Sequence, residues 1–300
     1  MDPIRKAYLE LHIAVFLFGF TAILGDLIVM NALVLVWWRV LLTSISLLFF
    51  VKVFRMFKIM RPIRIVQFAG IGILVALHWL AFYGSIKLAN ASIALVCMAT
   101  TSFFTAIMEP MIMRYKARWY ELALGVVIIP GMYLIVDSTD VAMMNGIWIG
   151  LAAAFLASLF AILNKKLITQ ADPISITFIE LSSAWLFLCF IVPFYLWKHP
   201  ETIFFPPDAM NWLYITVLAL LCTTLAYVLS IRSLIHLSAF ASNLTVNLEP
   251  VYGIALAVLL LNENEELNPG FYWGVVIILS SVFSYPFFRK RFEPKITLEK

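Results

Sequence analysis

The sequence predicts an all-α integral membrane protein, with ten transmembrane helices in two inverted five-helix repeats around a central cavity. Three observations carry that prediction. Apolar and aromatic residues make up 63% of the 300-residue chain, charged residues only 13%, and the mean hydropathy is +0.98. The apolar residues gather into ten runs, and the basic residues between those runs sort to one side. The first five runs resemble the last five. Soluble domains carry about 45–50% apolar residues and about 25% charged ones, so a disordered chain, a nucleic-acid module and a soluble enzyme are excluded. Ten spans of about 20 residues, with their interfacial ends, leave roughly 80 residues for loops and tails. That is too few for a separate soluble domain.

Taken in order, the predicted spans are 8–27, 31–51, 65–86, 91–113, 119–137, 146–166, 173–197, 211–231, 238–261 and 270–288. The first follows the basic start MDPIRK and lacks a small-residue cleavage pattern, so it reads as a retained span and not a signal peptide. The longest basic loop, 52–64, separates the second and third spans. A tight connection around Lys87 to Asn90 joins the third and fourth. Placing both termini inside puts Lys87 and Lys198 alone outside and leaves Arg39 within a span. The other 18 of the 21 Lys and Arg residues then share the inner side. By the positive-inside rule this predicts an even number of spans with cytoplasmic ends. Trp119, Tyr120, Trp212 and Trp273 fall at span ends and read as an interfacial belt.

The repeat is visible in three pairs of segments. LAFYGSIKL at 80–88 matches LAYVLSIRSL at 225–234, residues 90–107 match 237–254, and GVVIIPGMYLIV at 125–136 matches GVVIILSSVFSY at 274–285. The division predicted is 1–140 and 141–300. Five spans per half is an odd number, so the halves enter the membrane from opposite sides, an arrangement characteristic of secondary transporters.

A small-residue run leads into Asn247-Leu248-Glu249-Pro250 and then an apolar run ending in LLLNENEEL at 259–267. This stretch resembles the ninth-span segment of the drug/metabolite transporter (DMT) superfamily, EamA type. The first-half stretch TTSFFTAIMEPMIM at 100–113 is similar. It has Phe104 where the family often has proline, and its Glu109-Pro110 comes later than Glu249-Pro250. The resemblance spans nearly the whole chain. It implies a non-ATP secondary transporter of the bacterial inner membrane, exporting a small organic metabolite such as an amino acid by alternating access. No GxxxxGK[ST] phosphate loop is present, which is consistent with that.

A charge at mid-membrane costs about 2.5–3.5 kcal/mol on insertion scales, so charges inside spans mark candidate sites. Arg39 lies about eight residues into the second span and shares a face with Thr43 and Ser46 at i, i+4, i+7. Glu180 lies 141 positions later, at the corresponding point of the seventh span. The two read as a substrate or ion site, Arg39 for a carboxylate or phosphate and Glu180 for an amine or a proton, or else as a structural ion pair. His78, Trp79 and Tyr83 of the third span and Thr223 and Tyr227 of the eighth suit an organic solute with an apolar part. Asn243, Asn247 and Pro250 follow i, i+4, i+7 and predict a kinked, cavity-facing helix or interhelical hydrogen bonds. Thr101 belongs to the corresponding stripe of the first half, with Thr105 and Glu109; Glu109 itself reads as an interfacial ion pair near Arg114. Glu180, Glu249 and His78 are the proton-coupling candidates. Cys97, Cys189 and Cys222 lie inside apolar runs without metal spacing, so neither metal nor cofactor is indicated.

Two other reading frames for function stand beside export. One is an exchanger of anionic or phosphorylated metabolites using Arg39. The other, more remote, is an intramembrane enzyme or a non-transporting scaffold; no HExxH or protease-like carboxylate spacing supports the enzyme. The partners expected are a small-molecule solute, membrane lipids and protons, with no nucleic acid. One chain holds both halves, so a monomer suffices and a dimer is left open.

Overall fold

The computed structural model describes residues 2–137, 140–260 and 269–292. Among these every regular element is a helix, and there is no strand. Helices begin where a polar side chain or a proline meets an apolar run. Helix α1 (Pro3–Leu27) starts on Pro3 behind an Asp2 cap, α2 (Ala32–Leu48) on Asn31, and α3 (Val53–Ile59) inside the basic loop. Then come α4 (Pro62–Leu88), α5 (Ala91–Ala99, capped by Asn90), α6 (Thr101–Met113), α7 (Trp119–Asp137) and α8 (Met144–Leu167). Helix α9 (Pro173–Lys198) starts on Pro173 behind Asp172. Helix α10 (Ala209–Ala219, capped by Asp208) runs through a π-helical turn, Leu220–Leu225, into α11 (Ala226–Ser233). Helices α12 (Ala239–Val246, capped by Ser238), α13 (Glu249–Leu260) and α14 (Pro269–Phe292) complete the chain. Each polar cap accepts an amide hydrogen of its helix's first turn, which has no partner within the helix.

These helices lie on the ten predicted windows. By length and apolarity six helical stretches are able to cross a membrane: α1, α4, α5 with α6, α8 with its flanking turns (Val141–Gln170), α9, and α10 through α11. The pair α2 and α3, bent by 88°, would make a seventh. Helices α7 and α14 contain shorter apolar stretches, Trp119–Gly131 and Pro269–Ser281. Of the LLLNENEEL motif, residues 261–267 lie outside the described residues, as does everything after 292.

Three departures from the expectation have a physical cause. The loop 52–64 holds a helix, α3, which turns away from α2 after Phe49 and Phe50. The predicted fourth span is broken at Thr100, where the hydroxyls of Thr100, Thr101 and Ser102 donate back to the carbonyls of Cys97, Met98 and Ala99 and compete with the helical ladder. The predicted ninth span is broken at Asn247–Leu248, because Pro250 has no amide to continue the ladder. The two breaks face each other: Asn247 Nδ2 donates to Ser102 Oγ at 2.8 Å, and Asn243 Nδ2 to Thr105 Oγ1 at 2.8 Å.

The packing is reciprocal. Helix α4 lies on α8, while α11 lies on α1; α5 and α6 also pack on α8, while α12 and α13 pack on α1. Helices α2 and α9 pack on one another, as do α7 and α14. Gly72 lets α4 close on α9, since a Cβ there would collide with the backbone of Glu180.

Candidate functional site

A cavity of about 90 Å³ lies where α1, α2, α4, the α5–α6 junction, α8, α11, α12 and α13 converge. At about 30 Å³ each, that is room for some three waters. The sequence-predicted residues Arg39, His78, Trp79, Thr101, Tyr227, Asn243 and Glu249 are on its wall. Tyr83 and Thr223 stand behind Arg39. Glu180 and Asn247 are off the wall.

Arg39 is 1% exposed. Its Nε donates to Thr223 Oγ1 at 2.7 Å and its Nη1 to Tyr83 Oη at 2.7 Å. Thr223 is oriented to accept because its own proton goes to the carbonyl of Leu218, five residues back, at 2.7 Å. That i−5 reach belongs to the π-helical turn, and Thr224 does the same to Ala219. Trp79 lies under the guanidinium, 4.0 Å from Cζ to the ring centroid, a cation–π contact. Two of the five guanidinium N–H groups are therefore committed, and no carboxylate lies within ion-pair distance among the described residues. The rest of the Arg39 stripe ties α2 to the π turn: Thr43 donates to the carbonyl of Ala219 at 3.1 Å, and Ser46 shares a hydrogen bond with Thr224 at 2.7 Å.

The structural ion pair that stood as the alternative reading of Arg39 and Glu180 does not form. Glu180, fully buried, accepts from Tyr227 Oη at 2.7 Å and from Asn164 Nδ2 at 3.3 Å, all on Oε2. Its Oε1 and the Oδ1 of Asn164 are enclosed without a partner. Tyr227 and Asn164 line the cavity, so Glu180 is one layer behind it. His78 Nδ1 faces the carbonyl of Ala153 at 2.9 Å. A carbonyl only accepts, so Nδ1 carries the hydrogen. Phe82 stacks on the imidazole and Phe160 meets its edge.

The reading of Glu109 as an interfacial ion pair with Arg114 is replaced by a helix cap. Its two carboxylate oxygens accept the amides of Ala239 and Phe240, at 3.0 and 2.7 Å, at the start of α12. At the other end of the bundle Asn211 Oδ1 accepts the amide of Val29 at 2.8 Å, and Asp208 in turn accepts from the side chain of Asn211 at 3.0 Å. Asp208 is outside the helices, and the backbone amide of Asn211, at 2.8 Å, together with its side-chain amide holds the Asp208 carboxyl below the usual range.

Thr21, Phe160 and Asn164 also line the cavity and were not singled out in the sequence. Asn164 had a signal: with Ala157 and Ala161 it follows i, i+4, i+7, a face of small residues carrying one amide. Thr21, isolated in α1 among apolar residues, had none.

The sequence model of the EamA-like transporter family matches the chain twice, over residues 5–137 and 144–285. No curated protein matches. Among 28 matching chains of solved structures, one described only as "Crystal structure of protein" superposes with a TM-score of 0.69 at 14% identity, covering 97% of this chain and 99% of that one. That likeness bears on the fold alone. The family match covers most of the sequence: the chain belongs to the EamA-like transporter family, within the drug/metabolite transporter superfamily, and is a multi-pass membrane transporter.

Proposed function

We propose that this EamA-like transporter is a secondary transporter of the bacterial inner membrane that exports a small zwitterionic metabolite, an amino acid being the type case, by alternating access. In this reading the chain makes ten spans in two inverted halves, 1–140 and 141–300, with both termini cytoplasmic. The reciprocal packing of α4 on α8 and α11 on α1 supports that exchange symmetry.

The observation that carries the proposal is Arg39. An uncompensated guanidinium buried beside a cavity is costly unless an anion joins it, and three of its N–H groups remain for a carboxylate. Glu249, on the same wall, supplies the complement for an amine; it takes the role first expected of Glu180. Trp79, Phe82 and Phe160 accommodate an apolar side chain. The acidic wall residue disfavours a phosphorylated dianion, which ranks anion exchange second.

The cavity is well below the roughly 300–1,000 Å³ of ordinary ligand sites, so the halves part to admit the solute. The contacts of Glu109 with α12 and of Asn211 with Val29 close the two ends, and alternating access breaks one set at a time. Glu180, Glu249 and His78 are the groups available to carry a proton.

Counterflow in proteoliposomes tests the reading. Labelled amino acids should exchange, and phosphorylated sugars should not, with a pH gradient driving net flux. Exchange of phosphorylated sugars without amino-acid counterflow would reassign the solute to the anionic class.

A further inference from the structure

A second cluster of cations lies apart from the cavity and shares none of its lining residues. Helix α3 turns 88° from α2, and between it and the starts of α4 and α9 is an open groove of about 760 Å³. Lys52, Arg55, Arg61 and Arg64 line it. The acidic residue on its wall, Asp172, is committed to capping α9 through the amide of Ser175 at 3.0 Å. The side chains of Lys52, Arg55 and Arg61 make no hydrogen bond or ion pair among the described residues. Arg64 gives Nη1 to Gln67 at 2.8 Å, but its Nε is enclosed with no partner. At the start of α4, Pro62 has no amide hydrogen and the amide of Arg64 is taken by the carbonyl of Arg61 at 2.8 Å, so the groove's donors are its side chains. Four cations thus converge on a groove whose acidic wall residue, Asp172, balances one of them, leaving a net positive wall.

The groove opens at Phe50 into a furrow of about 700 Å³ along α2, the π turn and α11, walled by Leu42, Ile45, Leu220 and Val228. The furrow also reaches Ile174, next to Ser175 of the groove. Phe49 on the furrow and Ile59 on the groove are exposed, as at a membrane boundary.

We propose that groove and furrow together bind one anionic phospholipid, its phosphate among Lys52, Arg55, Arg61 and Arg64 and an acyl chain along the furrow. The charge selects the headgroup and the furrow selects a lipid over a free anion.

Native mass spectrometry of the full chain in detergent tests this with dioleoyl phosphatidylglycerol against dioleoyl phosphatidylcholine. One phosphatidylglycerol should be retained with about tenfold preference. Arg55→Gln/Arg61→Gln should abolish the preference, and Val228→Trp, which fills the furrow, should lower retention while the groove is intact. Should the double variant fail to fold, Val228→Trp still decides. Equal retention of the two lipids, or phosphatidylglycerol retention unchanged in Val228→Trp, overturns the proposal. So does a melting shift from millimolar inorganic phosphate as large as that from phosphatidylglycerol, which would make the groove a free-anion site.

Discussion

Arg39 in α2 and Glu180 in α9 are at corresponding points of two packed helices, and both are buried. Their surroundings differ. Arg39 reaches the cavity wall, braced from its own half by Tyr83 and from the other by Thr223. Glu180 is screened from the cavity by Tyr227 and Asn164, both of its own half. The aromatic residue of the neighbouring helix makes the difference: Trp79 lies flat beneath the cation, whereas Tyr227 stands in front of the carboxyl. Equivalent positions in a repeat therefore need not do equivalent work. One charge is on the cavity wall and the other is held behind a hydroxyl and an amide.

The sharpest way to break that contrast is to neutralise each member. Arg39→Gln should lower solute exchange about a hundredfold, from about 3 kcal/mol of lost charge pairing. Glu180→Gln should leave the apparent solute affinity within about threefold, because Gln still accepts from Tyr227, and should abolish the response to a pH gradient. Equal loss of affinity in both, measured by proteoliposome counterflow, would put Glu180 in direct contact with solute after all.

Packing comes next. Gly72→Val drives a side chain into the backbone of Glu180 and should destabilise the protein by about 1–3 kcal/mol, read as a lowered melting temperature in detergent. Smaller still are the braces. Tyr83→Phe and Thr223→Val each remove one acceptor from Arg39 and should weaken solute affinity about fivefold, near 1 kcal/mol. An unchanged affinity in both would mean that Trp79 alone positions the guanidinium.

The smallest effect belongs to Asp208 at the end of the bundle. Its carboxyl is lowered by the bonds from Asn211. Its contribution is therefore complete above about pH 4, the ordinary carboxylate value, and is lost as pH falls through the lower folded value. The acid side of a melting-temperature profile should be slightly flatter in Asp208→Asn than in the parent protein. Superimposable profiles would remove Asp208 from the account of that end.

What was legible in the sequence followed periodicity and solvation. Helices fall on every predicted window because apolar runs punctuated by proline and capping residues leave no alternative in lipid. The stripe Arg39, Thr43, Ser46 was readable because i, i+4, i+7 fixes a face without knowledge of the partner. The separation of Arg39 from Glu180 was not readable: it depends on which rotamer Tyr227 takes and on an amide arriving from α8. The break at Thr100 was obscured for a related reason, since three successive hydroxyls look like cavity lining until their protons are traced to the carbonyls three residues back.

The π-helical turn at Leu220–Leu225 is, in terms of chain length, one residue more than an α-helix joining the same two ends requires. A deletion of one residue in most transmembrane helices rotates everything beyond it onto the wrong face. Here the same deletion would only return the helix to its ordinary pitch, with α10 and α11 still facing their neighbours, and the casualty would be the Thr223 lone pair offered to Arg39. The segment is thus a place where the gene is able to lose a codon, keep the protein, and discard the brace of its buried cation.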